Sequence, residues 1–278
     1  MTKRSRYLAS RPFAIGLSLG GLVLLMAAVS LFYTPYDPNK MEIPARLQGP
    51  GPAHPFGTDQ FGRDILSRVM KGAINSLAVG LIAVGIGMSL GVLLGVLAGY
   101  YGSWLDEALM RLMDAIYGFP AVLLAILITS VLGPGIEKSM IAIGLSYAPL
   151  FARLARGNFL SLKEREFALA AKAVGRSGLA IAWRHILPNT FPILIIQATV
   201  CFALAILAEA GLSYLGLGTQ PPDPSWGRML KEAQAYMNLS PWPAVFPGLA
   251  IMIAVLGFNL LGDGLRDILD PRIKFLKR

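Results

Sequence analysis

Of the 278 residues, 55% are hydrophobic and only 15% charged, with a mean hydropathy of +0.58. Soluble domains carry close to a quarter charged residues, so the composition excludes an ordinary soluble protein and indicates an integral membrane protein. The net charge of +9 is held in short basic clusters beside apolar spans, which argues against nucleic acid as a partner, and the single Cys201 lies in an apolar run, which excludes a disulfide framework or a thiolate metal cluster.

Lys3, Arg4, Arg6 and Arg11 make residues 1–11 a basic N-tail ahead of an apolar run at 12–33. At helical rise that run crosses a hydrocarbon core of about 30 Å. A cleaved signal peptide is the competing reading, since Ala28-Val29-Ser30 has the look of a cleavage site. The run exceeds the usual apolar core of such peptides and continues through Leu31 and Phe32, so a retained first span is expected. Gly16 and Gly20 offer it a close-packing face.

Residues 34–75 are polar and rich in Pro and Gly, and read as an outer loop. Asp59, Arg63 and Asp64 in this loop read either as an ion-pair cluster that fixes it or as the lining of an entrance for a charged solute. A second span follows at 76–101, in which Gly87, Gly91, Gly95 and Gly99 recur every four residues along one stripe and predict tight helix packing. Trp104 to Tyr117 is amphipathic and is expected near the inner surface. A third span is expected over 115–132, closed by the turn signal Leu132-Gly133-Pro134-Gly135, and a fourth over 139–154.

The polar interval 155–189 is the central loop. Helix formers dominate Leu160 to Val174, Gly175 and Gly178 interrupt them, and Leu187-Pro188-Asn189 is expected to restart a helix. The fifth span, 190–215, carries Glu209. An intramembrane carboxylate is costly, so Glu209 is expected to face protein or water, as a hydrogen-bonding centre, a lining of a translocation path or a proton-coupling group. A second outer segment holds Pro221-Pro222 and Trp226, a sixth span runs over 243–262, and residues 263–278 form a C-tail.

With both termini inside, the inner segments hold 17 of the 25 Lys and Arg residues, so the positive-inside rule places the central loop in the cytoplasm. No GxxxxGK[ST] occurs, so the chain has no phosphate-cradling loop of its own. Its two histidines, His54 and His185, fall on opposite predicted faces, which leaves neither a Ser/His/Asp arrangement nor a metal-ligand spacing.

Several ordered motifs resemble one family. They are Phe56-Gly57-Thr58-Asp59 with Gly62-Arg63-Asp64 and Ser67-Arg68; Ala170-Ala171, Gly175 and Leu187-Pro188 in the central loop; Glu209 with Leu212-Ser213-Tyr214-Leu215-Gly216-Leu217-Gly218; Pro224-Ser225-Trp226-Gly227; and Gly262-Asp263-Gly264-Leu265-Arg266-Asp267. Together they look like the C-type permease subunit of the peptide/nickel family of bacterial ABC importers. The resemblance implies an all-α integral membrane protein of the bacterial inner membrane, with six transmembrane helices, a type I permease architecture and a cytoplasmic coupling helix. It implies a homologous second permease subunit, two ATP-binding subunits that carry the ATP and Mg²⁺, and an extracytoplasmic solute-binding protein, with no cofactor or catalytic residue on this chain. Di- or oligopeptides are the implied solutes, with nickel chelates or opines as alternatives. The implied coupling residues are Glu166, Ala170, Ala171, Gly175, Leu187 and Pro188. One departure is that Leu169 stands where the wider permease pattern has a Glu before the two alanines. A reading of another class is an ion-coupled secondary carrier using Glu209, although the two halves show no convincing internal repeat.

Overall fold

The computed structural model describes residues 11–269, which form helices and connecting segments with one isolated bridge, Thr58 to Asp64. The basic N-tail before Arg11 and the tail beyond Leu269 lie outside the described residues. In chain order the helices are α1 (Arg11–Ser30), α2 (Ile65–Tyr101), α3 (Ser103–Tyr117), α4 (Ala121–Leu132) and α5 (Ile136–Leu162). They continue with α6 (Glu166–Ala173), α7 (Gly178–Ile181), α8 (Leu187–Leu215), α9 (Trp226–Ala233) and α10 (Trp242–Leu269).

Helix α2 organises the rest. Its start is fixed by Asp64, whose carboxylate accepts a hydrogen bond from the Ser67 backbone N–H at 2.7 Å, and it ends at Gly102, whose φ of +62° suits glycine. Its 37 residues rise about 55 Å, well beyond the roughly 30 Å of a bilayer core, so its polar first turns have room to stand outside that core. The glycine stripe faces α5. A Cβ on Gly87 would stand 2.8 Å from the Gly144 carbonyl oxygen, one on Gly91 2.6 Å from Cβ of Phe151, and one on Gly99 2.9 Å from the Phe159 ring. Gly95 meets the Ala152 carbonyl closer still. Only glycine lets the two backbones approach in this way over four turns.

Helix α1 packs on α10 by the same device, with Gly16 against the backbone of Leu260 and Leu261, and Gly257 against Gly20. Two adjoining apolar cores result. One joins α2, α4, α5 and α8 with Ala168 of α6 and Ile181 of α7; the other joins α1, α10, the first turns of α2, Ala203, Ile206 and Ala210 of α8, and Trp226 and Met229 of α9.

Three elements differ from the sequence reading. The span expected over 115–132 is broken: α3 ends at Tyr117, Gly118-Phe119-Pro120 intervenes, and α4 leaves at 90°. Pro120 has no N–H to continue α3 and pushes Phe119 out of helical geometry, which forces the corner. Helix α4 alone, with 12 residues, rises only about 18 Å. Second, helix formation resumes at Gly178 rather than at Leu187. A π-helical turn, Ala182–Ile186, joins α7 to α8, so Pro188 sits inside one helical path, and the wide turn relieves the clash its ring would otherwise make. Third, α5 is longer than the 139–154 expected and carries Arg153 and Arg156 in its lower half. By length and apolarity four helical stretches can cross a membrane, or five if the bent α3–α4 pair counts as one.

Candidate functional site

One end of the bundle holds a buried ion network. Asp59 and Arg63 meet at 2.6 Å, and the Arg63 guanidinium reaches Glu232 of α9 at 2.6 Å. Arg68 lies between the same two carboxylates, 3.6 Å from Asp59 and 3.2 Å from Glu232, and Arg228 pairs with Glu232 at 3.0 Å. Arg68 is 1% exposed, and burial, followed by the Arg63 charge, pushes its guanidinium down to about 10, so it stays charged at neutral pH. Burial alone would raise the Glu232 carboxyl, but Arg68 and Arg63 outweigh it and hold it below the usual carboxylate value. Asp64 is not part of this network. It caps α2 and accepts a 2.9 Å contact from His54 Nδ1. The network ties the loop before α2 to the segment after α8.

Glu209 of α8 is fully buried and takes hydrogen bonds from neutral hydroxyls: Ser213 donates at 2.6 Å, Ser76 of α2 at 3.2 Å and Thr219 at 3.3 Å. The Ser213 hydroxyl also accepts from the Thr219 backbone N–H at 2.9 Å. The carboxylate therefore gathers α2, α8 and the loop after α8 around one point. Glu209, Asp59, Arg63 and Asp64 are each at most 4% exposed, so in this conformation none lines an open passage.

On the opposite side, the chain leaves α5 at Leu162, makes the short helix α6, and reverses at Gly175, where φ is +81° and a Cβ would meet nothing within 4 Å. The Arg176 backbone N–H donates to the Ala171 carbonyl at 3.2 Å across the reversal, and Ser177 caps α7. The faces of α6 are distinct. Ala168 is buried and Ala171 is half-buried against the main core, whereas Glu166 and Ala170 are exposed. Leu169 and Val174 are 53% and 84% exposed. Of the residues singled out here by sequence, Glu166, Ala170 and Gly175 thus stand outward, Ala171 packs inward, and Leu187 and Pro188 belong to the helical path into α8. Sequence reasoning missed Glu232 and Arg228 as network members; their four-residue spacing was the available signal. Among the described residues no group of three His, Cys, Asp or Glu side chains is placed to hold a metal ion.

A bundle of apolar helices with a buried ion network at one end and a short exposed helix at the other defines a polytopic membrane protein. Residues 91–275 match the family described as binding-protein-dependent transport system inner membrane components, and the chain belongs to that family. It is 48% identical over 229 residues to the dipeptide transport system permease protein DppC of Alkalihalophilus pseudofirmus, covering 82% of this chain and 75% of that one. It is 49% identical over 254 residues to the glutathione transport system permease protein GsiD of Escherichia coli, covering 91% of this chain and 84% of that one. The fold is similar to chains of the MetNI methionine ABC transporter in inward-facing conformations, with TM-scores of 0.56 and 0.59, 19% and 18% identity, and coverage of 73% of this chain and 96% and 97% of those chains.

Proposed function

We propose that this chain is one permease subunit of an ATP-driven importer that carries di- or oligopeptides, or a related small solute, across the bacterial inner membrane by alternating access. The relatives named for dipeptide and glutathione transport support peptides over nickel chelates or opines. Both termini and α6 lie in the cytoplasm, in keeping with the Lys and Arg asymmetry. In this reading α5 supplies a further span, and the bent α3–α4 pair counts as one, which gives six.

The observation that carries the reading is the exposed helix α6. Its outward face presents Leu169, Ala170 and Val174, and its backbone is open at Gly175. An apolar, small-residue helix face is suited to a groove on a partner. That partner is one of two ATP-binding subunits, which hold the ATP and Mg²⁺ and perform the hydrolysis; this chain contributes no catalytic residue. Closure of the ATP-binding pair moves α6, and the helices attached to it then change which side of the membrane the pathway faces. A homologous second permease subunit completes that pathway, and an extracytoplasmic binding protein delivers solute to the outer segments. An Ala170→Cys permease should crosslink to a cysteine in the groove of the ATP-binding subunit when the complex is assembled. Absence of that crosslink, with the complex intact, would remove α6 as the docking element.

A carrier using Glu209 as an ion-coupling group is the weaker reading, because the carboxylate is sealed among hydroxyls of three chain segments.

A further inference from the structure

Helix α3 is held to the bundle in an unusual way. Of its 15 residues only Met113 is buried, so apolar packing fixes it weakly. Its polar attachments to α5 are charged, one partly buried at Asp106 and one exposed at Asp114. Asp106 receives two hydrogen bonds from Arg156, from Nε at 2.5 Å and from Nη2 at 2.6 Å, in the paired geometry that gives Arg–carboxylate contacts their strength. Two turns further along, Asp114 receives Arg153 Nη2 at 2.6 Å, and the same guanidinium lies 4.2 Å from the centre of the Tyr117 ring. Both arginines belong to the lower half of α5. Arg153 is nine residues, or about 13 Å, above the end of α5, beyond which α6 begins after three residues.

Both ends of α3 are corners. At its start Gly102 and Ser103 have φ of +62° and +53°, and at its end the chain turns 90° through Gly118-Phe119-Pro120 into α4. A helix about 22 Å long, bonded at two points to α5 and entered and left through sharp corners, has the mechanics of a lever. Its far end carries α4, which packs on α5 and to a lesser extent on α8.

We propose that α3 is a lever that carries movement of the α5–α6 corner to α4, and that Asp106 and Asp114 are positioning residues that fasten it to Arg156 and Arg153. The proposal rests on the reading of α6 as the element docked on an ATP-binding subunit. It adds a route by which that movement reaches a membrane helix far from α6 in sequence: a shift of α5 is transmitted through the two Asp–Arg contacts, and the corner at Gly118 to Pro120 converts the displacement of α3 into a tilt of α4. The exposed pair Arg111–Glu107, 3.6 Å apart within α3 itself, has no part in it.

The test uses the complete importer in proteoliposomes, with Asp106→Arg, Arg156→Asp and the two combined. Each single reversal replaces a charge-assisted contact by like-charge repulsion and should lower uptake about tenfold, equivalent to about 1.4 kcal/mol. The combined exchange should restore uptake to within about threefold of the parent, since it re-forms the pair in the opposite sense. Because a single reversal is able to impair insertion, Asp106→Asn is measured beside it, with spin labels on Ala108 and Ser130. The distance between these labels should change on ATP binding in the parent complex and stay fixed in Asp106→Asn, a readout that a purely structural role would not move. Parent-level uptake in the single variants, no recovery in the exchanged pair, or an unaltered distance change in Asp106→Asn would each overturn the lever. The Ala170→Cys crosslink separates the two claims: if it forms while the Asp106 variants transport normally, only the lever falls, and if it fails in the otherwise unmodified complex, the docking role of α6 falls.

Discussion

Adding one methyl group at Gly91 should unseat the main helix pair of the bundle. A Cβ there would lie 2.6 Å from Cβ of Phe151 and 2.9 Å from the Ala152 nitrogen, and it meets the Ala148 carbonyl closer still. Carbon contacts are comfortable at about 3.5–4.0 Å, so α2 and α5 must separate by roughly 1 Å, and the obstacle is backbone that has no rotamer to yield. Overpacking of this kind costs about 1–3 kcal/mol. Gly85 is the internal control: it lies on the same helix with nothing within 4 Å of its Cβ position, so Gly85→Ala should gain up to about 1 kcal/mol from helix propensity alone. The propensity gain is common to both single-methyl changes and cancels, so they should differ by the overpacking cost of about 1–3 kcal/mol, or roughly 5- to 150-fold in an unfolding equilibrium. Unfolding of the purified subunit by increasing dodecyl sulfate in mixed micelles reads that difference. Gly95→Ala should behave like Gly91→Ala. Gly99→Ala should be milder, because its nearest neighbours belong to the Phe159 side chain. Equal stability of Gly91→Ala and Gly85→Ala would refute the claim that the stripe is a backbone contact.

Cysteines placed at Gln48 and Gln234 should react with a membrane-impermeant thiol reagent in intact cells, and one at Lys163 only after the cytoplasmic face is opened; labelling of Lys163→Cys from outside would invert the topology. Glu232→Gln leaves Arg68 buried beside Arg63 with one partner fewer and should destabilise the outer segment by about 3–5 kcal/mol, seen as faster proteolysis of the loops before α2 and after α8. Because its folded carboxyl is held below the usual value, the Glu232 contribution is complete above about pH 4.3 and is lost as the pH falls through the folded value, so Glu232→Gln should flatten the acid end of the stability profile. Glu209→Leu strands the Ser76, Ser213 and Thr219 hydroxyls at a cost of about 1–3 kcal/mol, whereas Glu209→Gln retains an acceptor and should cost less; equal losses in thermal stability would argue against a hydrogen-bonding role.

The membrane character was legible because apolar runs of bilayer length are a strong signal. The four-residue glycine spacing was equally plain, but it names no partner helix: that Gly91 meets Ala148 and Phe151 follows from the fold. The corner at Gly118 to Pro120 was concealed because apolar residues continue across it, and hydropathy records no direction. Pro120 was the one local sign. Leu187-Pro188 misled in the opposite sense, because a wide helical turn absorbs a proline that ordinary α-geometry would not. In the buried ion network, Asp59 and Arg63 are four residues apart and were visible as a pair. The bond from Arg63 to Glu232 crosses 169 residues, a separation at which spacing carries no information. The same holds for Asp106 and Arg156, which the sequence shows only as unlike charges, one on the amphipathic stretch from Trp104 to Tyr117 and one at the start of the central loop. Helix α6 was legible in place but not in length, because the helix formers from Leu160 to Val174 divide between the end of α5 and the eight residues of α6, and its inward and outward faces needed the structure, which turns Ala171 to the core and Ala170 away from it.

The most direct measurement of the central claim is peptide uptake and ATP hydrolysis by the reconstituted importer carrying Ala170→Trp. Ala170 is exposed, so the subunit should fold and assemble, while the added bulk blocks seating of α6 in its groove. The account predicts that the binding protein still takes up its peptide, but that uptake into the vesicles and stimulation of ATP hydrolysis by the loaded binding protein are both lost. Uptake and stimulation at parental levels, with the complex assembled in normal amount, would contradict it.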